Sequence, residues 1–152
     1  MSYNYTDIDA EMEADKAEYT AKLDARKTIA IDFDGVLHKY SKGWQDGSIY
    51  DDEMTSLCDL FNLLLEKYNV FIFSTRSPRQ IKNWIEDKML RTAFLAEHPD
   101  LKIIPFYKKF WKSFRTVGIT KRKLPAHIYI DDRAYKFEDW NKTLLEIDDI
   151  IC

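Results

Sequence analysis

Apolar residues along this chain form short continuous runs, separated by stretches in which they recur at helical spacing. The runs predict strands over residues 28–34, 70–73, 101–106 and 126–130. Continuous apolar runs of this length are typical of strands buried on both faces of a sheet. Strands that alternate with helices predict an α/β protein, in which a mostly parallel, Rossmann-like sheet carries helices on both faces in three layers.

Three helices are predicted between and after these strands, over residues 52–68, 78–95 and 137–145. Acidic residues open the first helix, where the helix dipole favours them. Pro78 fits the first turn of the second helix. Pro105 cannot donate a backbone hydrogen bond, so it places the third strand at an edge of the sheet.

Residues 1–25 are acidic and carry a thin apolar stripe, which predicts a helical extension ahead of a single domain over residues 26–152. This helix either packs on the domain or binds a partner. The chain has 152 residues, 45% of them hydrophobic, and a net charge of -3, as expected for a folded domain without a strong preference for polyanions. Without a long apolar run or a signal peptide, and with only two cysteines, we expect a cytoplasmic protein that does not enter membranes.

Polar side chains follow three of the four predicted strands. Asp32 and Asp34 end the first, Ser74 follows the second, and Asp131 and Asp132 follow the fourth. Because the carboxyl ends of parallel strands meet at one edge of a sheet, four carboxylates and a hydroxyl are predicted to converge there. Their mutual repulsion favours a bound divalent cation, and oxygen ligands with room for water and phosphate favour Mg²⁺.

A cation beside a carboxylate and a hydroxyl suits phosphoryl transfer, in which positioning and charge neutralisation do most of the catalysis. A phosphate dianion also needs a fixed positive group, and Lys123, just before the fourth strand, is the best placed in the sequence. Lys121, Lys112 and Lys109 are alternatives.

Four stretches in this order resemble the motifs of the haloacid dehalogenase (HAD) superfamily, on its phosphatase side. They are Asp32-Phe33-Asp34-Gly35, Ser74-Thr75-Arg76, Lys123 and Asp131-Asp132, and the likeness covers residues 27–140. The short intervals between the motifs predict a member with a minimal cap or none, whose site is covered only by a flap over residues 38–50.

The resemblance implies a role for each acidic residue. Asp32 would be the nucleophile, forming an aspartyl-phosphate. Asp34 would protonate the leaving oxygen, later activate water, and give Mg²⁺ a backbone carbonyl. Asp131 and Asp132 would complete the metal site with Asp32 and Asp34, directly or through water.

The phosphate contacts implied by the resemblance are a hydroxyl and an amine. Ser74 would donate to a phosphoryl oxygen, with Thr75 as the alternative hydroxyl, and Lys123 would pair with the phosphate and with Asp32. Arg76 either pairs with a nearby acid or lines the phosphate site. His38 is predicted to be a flap or surface residue.

The segment over residues 102–123 combines lysines and arginines with aromatic residues and has no acid. Such a mixture can follow a phosphate backbone and stack on bases, which makes nucleic acid a possible partner. It also fits an amphipathic helix whose aromatic side chains face the core. Tyr40 and Trp44 in the flap either touch the substrate or serve for packing.

Taken together, the sequence predicts a Mg²⁺-dependent phosphomonoesterase. Its substrate would be a nucleotide, another small phosphomonoester or the end phosphate of a nucleic acid. The alternatives are a phosphotransferase and a non-catalytic nucleic-acid-binding protein on the same fold.

Overall fold

The computed structural model describes residues 10–14, 26–90, 98, 100–105 and 115–151. Residues 10–14 are helical and exposed, and the rest of the predicted N-terminal helix lies outside the described residues. None of the helices in the described ranges is long and apolar enough to cross a bilayer.

Strands and helices alternate along the described chain. The elements are β1 (Thr28–Asp32), α1 (Leu57–Leu65), β2 (Asn69–Phe73), α2 (Pro78–Leu90), β3 (Lys102–Pro105), β4 (Thr116–Thr120), β5 (Ile128–Ile130) and α3 (Trp140–Ile151).

The five strands form one sheet in the order β3-β4-β2-β1-β5, and every neighbouring pair is parallel. The predicted α/β fold class with a parallel sheet is therefore confirmed. The chain moves from β1 to β2 on one side and returns to β5 on the other, so β1 is the switch point where ligands bind in open α/β sheets. Asp32 at the end of β1 pairs with Phe73, and Ile31 pairs with Ile130, which aligns the ends of β1, β2 and β5.

One face of the sheet carries the main core. Helices α1 and α2 pack there, and Phe61, Ile81 and Ile85 are fully buried against Ile72 of β2. These helices present an apolar residue every three to four positions because that spacing keeps side chains on one face. On the opposite face, the described residues form a smaller cluster around Ala30, Phe71 and Leu124.

The sequence-based prediction contains no strand at β4. It interpreted the basic segment over residues 102–123 as a nucleic-acid-binding surface or an amphipathic helix. All five of its residues are buried, and it pairs with β2 on one side and β3 on the other. The third predicted strand, β3, lies at the edge as expected from Pro105. The aromatic residues of the basic segment, within 106–114, lie outside the described residues.

Helix α1 starts five residues later than predicted. The chain at 52–54 pairs with the chain at 37–39, and the Met54 N–H donates to the Leu37 carbonyl at 2.8 Å. The helix begins only after Ser56, whose hydroxyl accepts the Asp59 N–H. Helix α3 also starts later than predicted, after its cap Asp139, and it continues to Ile151.

Candidate metal and phosphoryl site

Three carboxylates meet at the carboxyl edge of the sheet. Asp32 ends β1, and Asp131 and Asp132 follow β5, which is the neighbour of β1. One oxygen atom from each of the three side chains lies within 4.8 Å of the others. An all-oxygen donor set of this kind fits Mg²⁺.

Asp32 carries the electrostatic cost of this arrangement. Burial raises its pKa from 3.8 to about 6; the N–H of Phe33, 2.8 Å away, opposes the rise, and the charges of Asp131, Asp132 and Asp34 add to it. A cation among these carboxylates would offset both the burial and the repulsion. The electrostatics of the cluster thus fit the divalent ion that the donor set also favours.

Gly35 allows Asp132 to reach the cluster. A Cβ atom at position 35 would lie 2.1 Å from the Asp132 Oδ2 atom, and the Gly35 φ angle is +83°. A side chain at this position would therefore both strain the backbone and displace a carboxylate.

The Asp34 carboxylate lies outside this group of three and has its own partners. Its Oδ1 atom is 2.9 Å from His38 Nδ1, and its Oδ2 atom accepts a hydrogen bond from Arg76 Nε at 2.7 Å. Its side chain remains 18% exposed, whereas the side chains of both partners are fully buried. The Asp34 side chain is thus partly exposed at the site, and each of its two oxygens is hydrogen-bonded to a buried side chain.

His38 is not a surface residue, which corrects the sequence-based prediction. Its Nε2 atom accepts the backbone N–H of Asp51 at 3.1 Å, so the proton lies on Nδ1 and is donated to Asp34. The Leu37 and His38 N–H groups both donate to the Phe33 carbonyl, and this turn brings residues 34 and 38 to one side. Residues 34–38 form a turn and not a helix, so no periodic pattern in the sequence signalled this contact.

Arg76 pairs with an acid, the first of its two predicted alternatives. Beyond Asp34, its Nη1 atom donates to the Gly47 carbonyl at 2.6 Å, and its guanidinium lies 4.6 Å from the Trp44 ring and 5.8 Å from the Tyr40 ring. Its Nη2 atom is buried and has no hydrogen-bond partner among the described residues. Arg76 therefore connects Gly47 of the loop to Asp34, next to the end of β1.

A cavity of about 200 Å³ opens beside these groups. Ser74 is 5% exposed, and its hydroxyl oxygen accepts the Arg76 N–H at 3.2 Å, which leaves the hydroxyl proton available to a ligand. Thr75 is exposed at the same cavity. The lining residues are Asp32, Asp34, Tyr40, Trp44, Phe73, Ser74, Thr75, Asp132 and Arg133.

Lys123 is not among the residues that line this cavity. It is exposed on the connection from β4 to β5, and its Nζ atom lies 4.9 Å from the Tyr129 ring. Arg133 lines the cavity instead and was missed from the sequence, although it directly follows the two motif aspartates. Its backbone N–H donates to Asp131 at 2.8 Å, which fixes the turn that carries both residues.

Comparison with protein-family models, with curated proteins and with solved structures finds no match to this chain. The motifs and the geometry that they adopt are therefore the basis for a functional proposal.

Proposed function

We propose that this protein is a Mg²⁺-dependent phosphomonoesterase that acts through an aspartyl-phosphate on Asp32. The position of Asp32 carries the proposal. Asp32 lies at the topological switch point of the sheet, where it belongs to a group of three carboxylates suited to a metal ion and also lines the cavity that contains Ser74 and Asp34. Phosphoryl transfer needs this combination of a nucleophile, charge neutralisation and a proton donor.

In the first step, an oxygen of Asp32 attacks phosphorus and the bond from phosphorus to the leaving oxygen breaks. The Ser74 hydroxyl donates a hydrogen bond to a phosphoryl oxygen, and Arg133 offers a positive charge at the cavity wall. When bound to Asp32, Asp131 and Asp132, Mg²⁺ would offset the negative charge of the carboxylates and the phosphate.

Asp34 handles the protons. It carries a proton when the substrate binds, gives that proton to the leaving oxygen in the first step, and regains one from the water that attacks the aspartyl-phosphate in the second. The second step breaks the bond between phosphorus and Asp32, so the enzyme is restored and the products are an alcohol and inorganic phosphate.

The cavity bears on the kind of substrate. Its volume of about 200 Å³ is below the roughly 300–1,000 Å³ of sites that enclose a whole small molecule. We infer that it holds the phosphoryl group and the adjoining atoms, while the remainder of a nucleotide, small phosphomonoester or nucleic-acid end lies outside. Residues 33–56, between β1 and α1, form an irregular loop with no helix or sheet strand, so this interval adds no cap domain, and Tyr40 and Trp44 of the loop line the cavity.

The test is phosphate release by the purified chain with Mg²⁺, across nucleotides, sugar phosphates and oligonucleotides phosphorylated at either end. We expect activity that chelation of the metal removes and that Asp32→Asn lowers by at least about 10³-fold. Glu66→Gln, at the exposed end of α1, is the matched control and should leave activity unchanged. Activity that survives in Asp32→Asn, or none across the panel, would contradict the proposal.

Two further parts of the proposal concern the surroundings of the enzyme. A cytoplasmic location is supported by a content of only two cysteines, too few for a disulfide framework. Nucleic acid is retained as a possible partner through Lys121, Arg122 and Lys123, which are exposed, although β4 in the middle of the basic segment is buried.

Transfer of phosphate to an added alcohol in place of water would identify the enzyme as a phosphotransferase.

A further inference from the structure

We propose that Arg76 and His38 are positioning residues for Asp34, and that they make acid catalysis depend on the position of the flap, which in the structure is the loop over residues 39–51 rather than the predicted 38–50. This inference rests on the proposed function and concerns how the proton donor is held. Neither residue touches the reacting atoms; each acts through Asp34.

The two oxygens of Asp34 are linked through hydrogen bonds to two residues of the flap, Gly47 and Asp51. Gly47 accepts a hydrogen bond from Arg76, which in turn donates to Oδ2 of Asp34. Asp51 donates its backbone N–H to His38, which in turn donates to Oδ1. The carboxyl plane of Asp34 is thus fixed by two hydrogen-bonded chains that both end on the flap.

The first of these chains depends on burial of a cation. Arg76 is 1% exposed, and its guanidinium group donates to the Asp34 carboxylate and to the Gly47 carbonyl. Trp44 covers the guanidinium face, and its own side chain is 52% exposed. If the flap moved away, Arg76 would lose an acceptor and its cover, and water would compete for the contact with Asp34.

The second chain sets the tautomer of His38. A backbone N–H at Nε2 requires a lone pair on that nitrogen, so the ring proton must lie on Nδ1, where it faces Asp34. Movement of Asp51 would remove this constraint. Both chains therefore predict that Asp34 is held in one orientation only while the flap covers the site.

The chemical consequence depends on the leaving group. When the bond between phosphorus and an alkyl oxygen breaks, the electron pair stays on a strongly basic oxygen, which must take a proton from Asp34. A p-nitrophenolate ion is weakly basic and can leave without that proton. Loss of Asp34 positioning should therefore slow hydrolysis of alkyl phosphates far more than that of p-nitrophenyl phosphate.

The experiment compares kcat/KM for an alkyl phosphate and for p-nitrophenyl phosphate in Arg76→Gln and Trp44→Ala. We expect losses of about 10²–10³-fold for the alkyl phosphate and less than about 10-fold for p-nitrophenyl phosphate. Arg76→Lys, which keeps the charge but lacks the planar fork, should recover part of the difference. Arg79→Gln, an exposed residue of α2, is the control and should leave both rates unchanged.

A readout that needs no turnover tests the coupling itself. Acrylamide quenching of Trp44 fluorescence is measured as the difference between each protein and the same protein carrying Trp44→Phe. It should increase in Asp34→Asn, which removes the charge partner of Arg76. It should increase in His38→Gln as well. Unchanged quenching in both variants would overturn the inference.

The outcomes separate the two proposals. Equal losses on both substrates in a folded Arg76→Gln or Trp44→Ala protein would show general damage and overturn the inference, while the phosphatase activity of the unmodified chain would stand. No activity in the unmodified chain would overturn the proposed function. If Arg76→Gln fails to fold, Trp44→Ala provides the same comparison, because Trp44 is largely exposed.

Discussion

At the scale of single residues, Gly35 and Asp132 show how closely the backbone and the candidate metal site are packed. The Asp132 carboxylate occupies the space that a side chain at position 35 would fill. The same glycine has a positive φ, which other residues adopt only at a cost. Its two roles can be separated because Gly43 has a similar φ in open surroundings.

Gly35→Ala and Gly43→Ala form a matched pair. Gly43 has a φ of +72°, and a Cβ atom added there would meet nothing within 4 Å, so its substitution should cost about 1–2 kcal/mol of unfolding free energy from backbone strain alone. Gly35→Ala should cost at least as much and should also weaken Mg²⁺ binding, because Asp132 must move. Urea unfolding and calorimetric Mg²⁺ titration measure the two effects. Equal Mg²⁺ affinity in both variants would contradict the prediction.

The buried charge of Asp32 lowers the free energy of unfolding by an amount that depends on pH. Its pKa is about 6 in the folded protein and 3.8 as the reference value, so the folded state binds more protons between these values. The stability of the metal-free protein should therefore fall as pH rises through this window, and the full penalty applies above pH 6.

Asp32→Asn removes the ionisable group and should stabilise the metal-free protein. We expect a higher melting temperature than that of the unmodified chain at about pH 8, and a smaller gain at about pH 4.5, where Asp32 is protonated in the folded state. Thermal unfolding in the presence of a chelator measures both. A gain that is the same at the two pH values would show that the penalty does not come from the Asp32 charge.

At the scale of elements, β4 is the main difference between the pattern of the sequence and the fold. Its five residues include two threonines and Gly118, and basic residues lie on both sides. Gly and polar neighbours lower the strand signal of a short segment. Its burial comes from β2 and β3, which lie on either side of it, and neither contact is visible in local spacing.

The central position of β4 can be tested with one substitution at two strands. Ile119→Ala in β4 removes a fully buried side chain and should lower the unfolding free energy by about 2–5 kcal/mol. Ile130→Ala in the edge strand β5, where the side chain is 42% exposed, should cost clearly less. Urea unfolding of both variants gives the comparison. Equal costs would contradict the central placement of β4.

At the scale of the whole molecule, the candidate metal site joins the carboxyl ends of β1 and β5, which are neighbours in the sheet but the first and last strands of the described chain. A cation bound across this junction should stabilise the entire fold, because the unfolded chain does not hold the three carboxylates together.

Mg²⁺ should therefore raise the melting temperature of the intact protein. At a concentration about 100 times Kd, the gain of roughly 2.7 kcal/mol corresponds to roughly 5–10 °C for a chain of this size. Asp131→Asn should reduce the increase, whereas Asp59→Asn, on the exposed side of α1, should not. An increase that is equal in all three proteins would place the bound ion elsewhere.

The sequence alone determined the α/β class, the parallel sheet and the strand ends that carry Asp32, Ser74, Asp131 and Asp132. These follow from local periodicity and from the rule that parallel strands share one carboxyl edge. It did not determine β4, because burial there depends on contacts between distant segments.

Only the tertiary structure decided what surrounds Asp34. Its partners come from three segments: His38 from the turn after β1, Arg76 from the end of β2, and Gly47 from the flap through Arg76. Two of the partners are charged or titratable side chains whose burial is possible only because they satisfy one another. Such a network leaves no periodic pattern in the sequence, since each member is fixed by its neighbours in space.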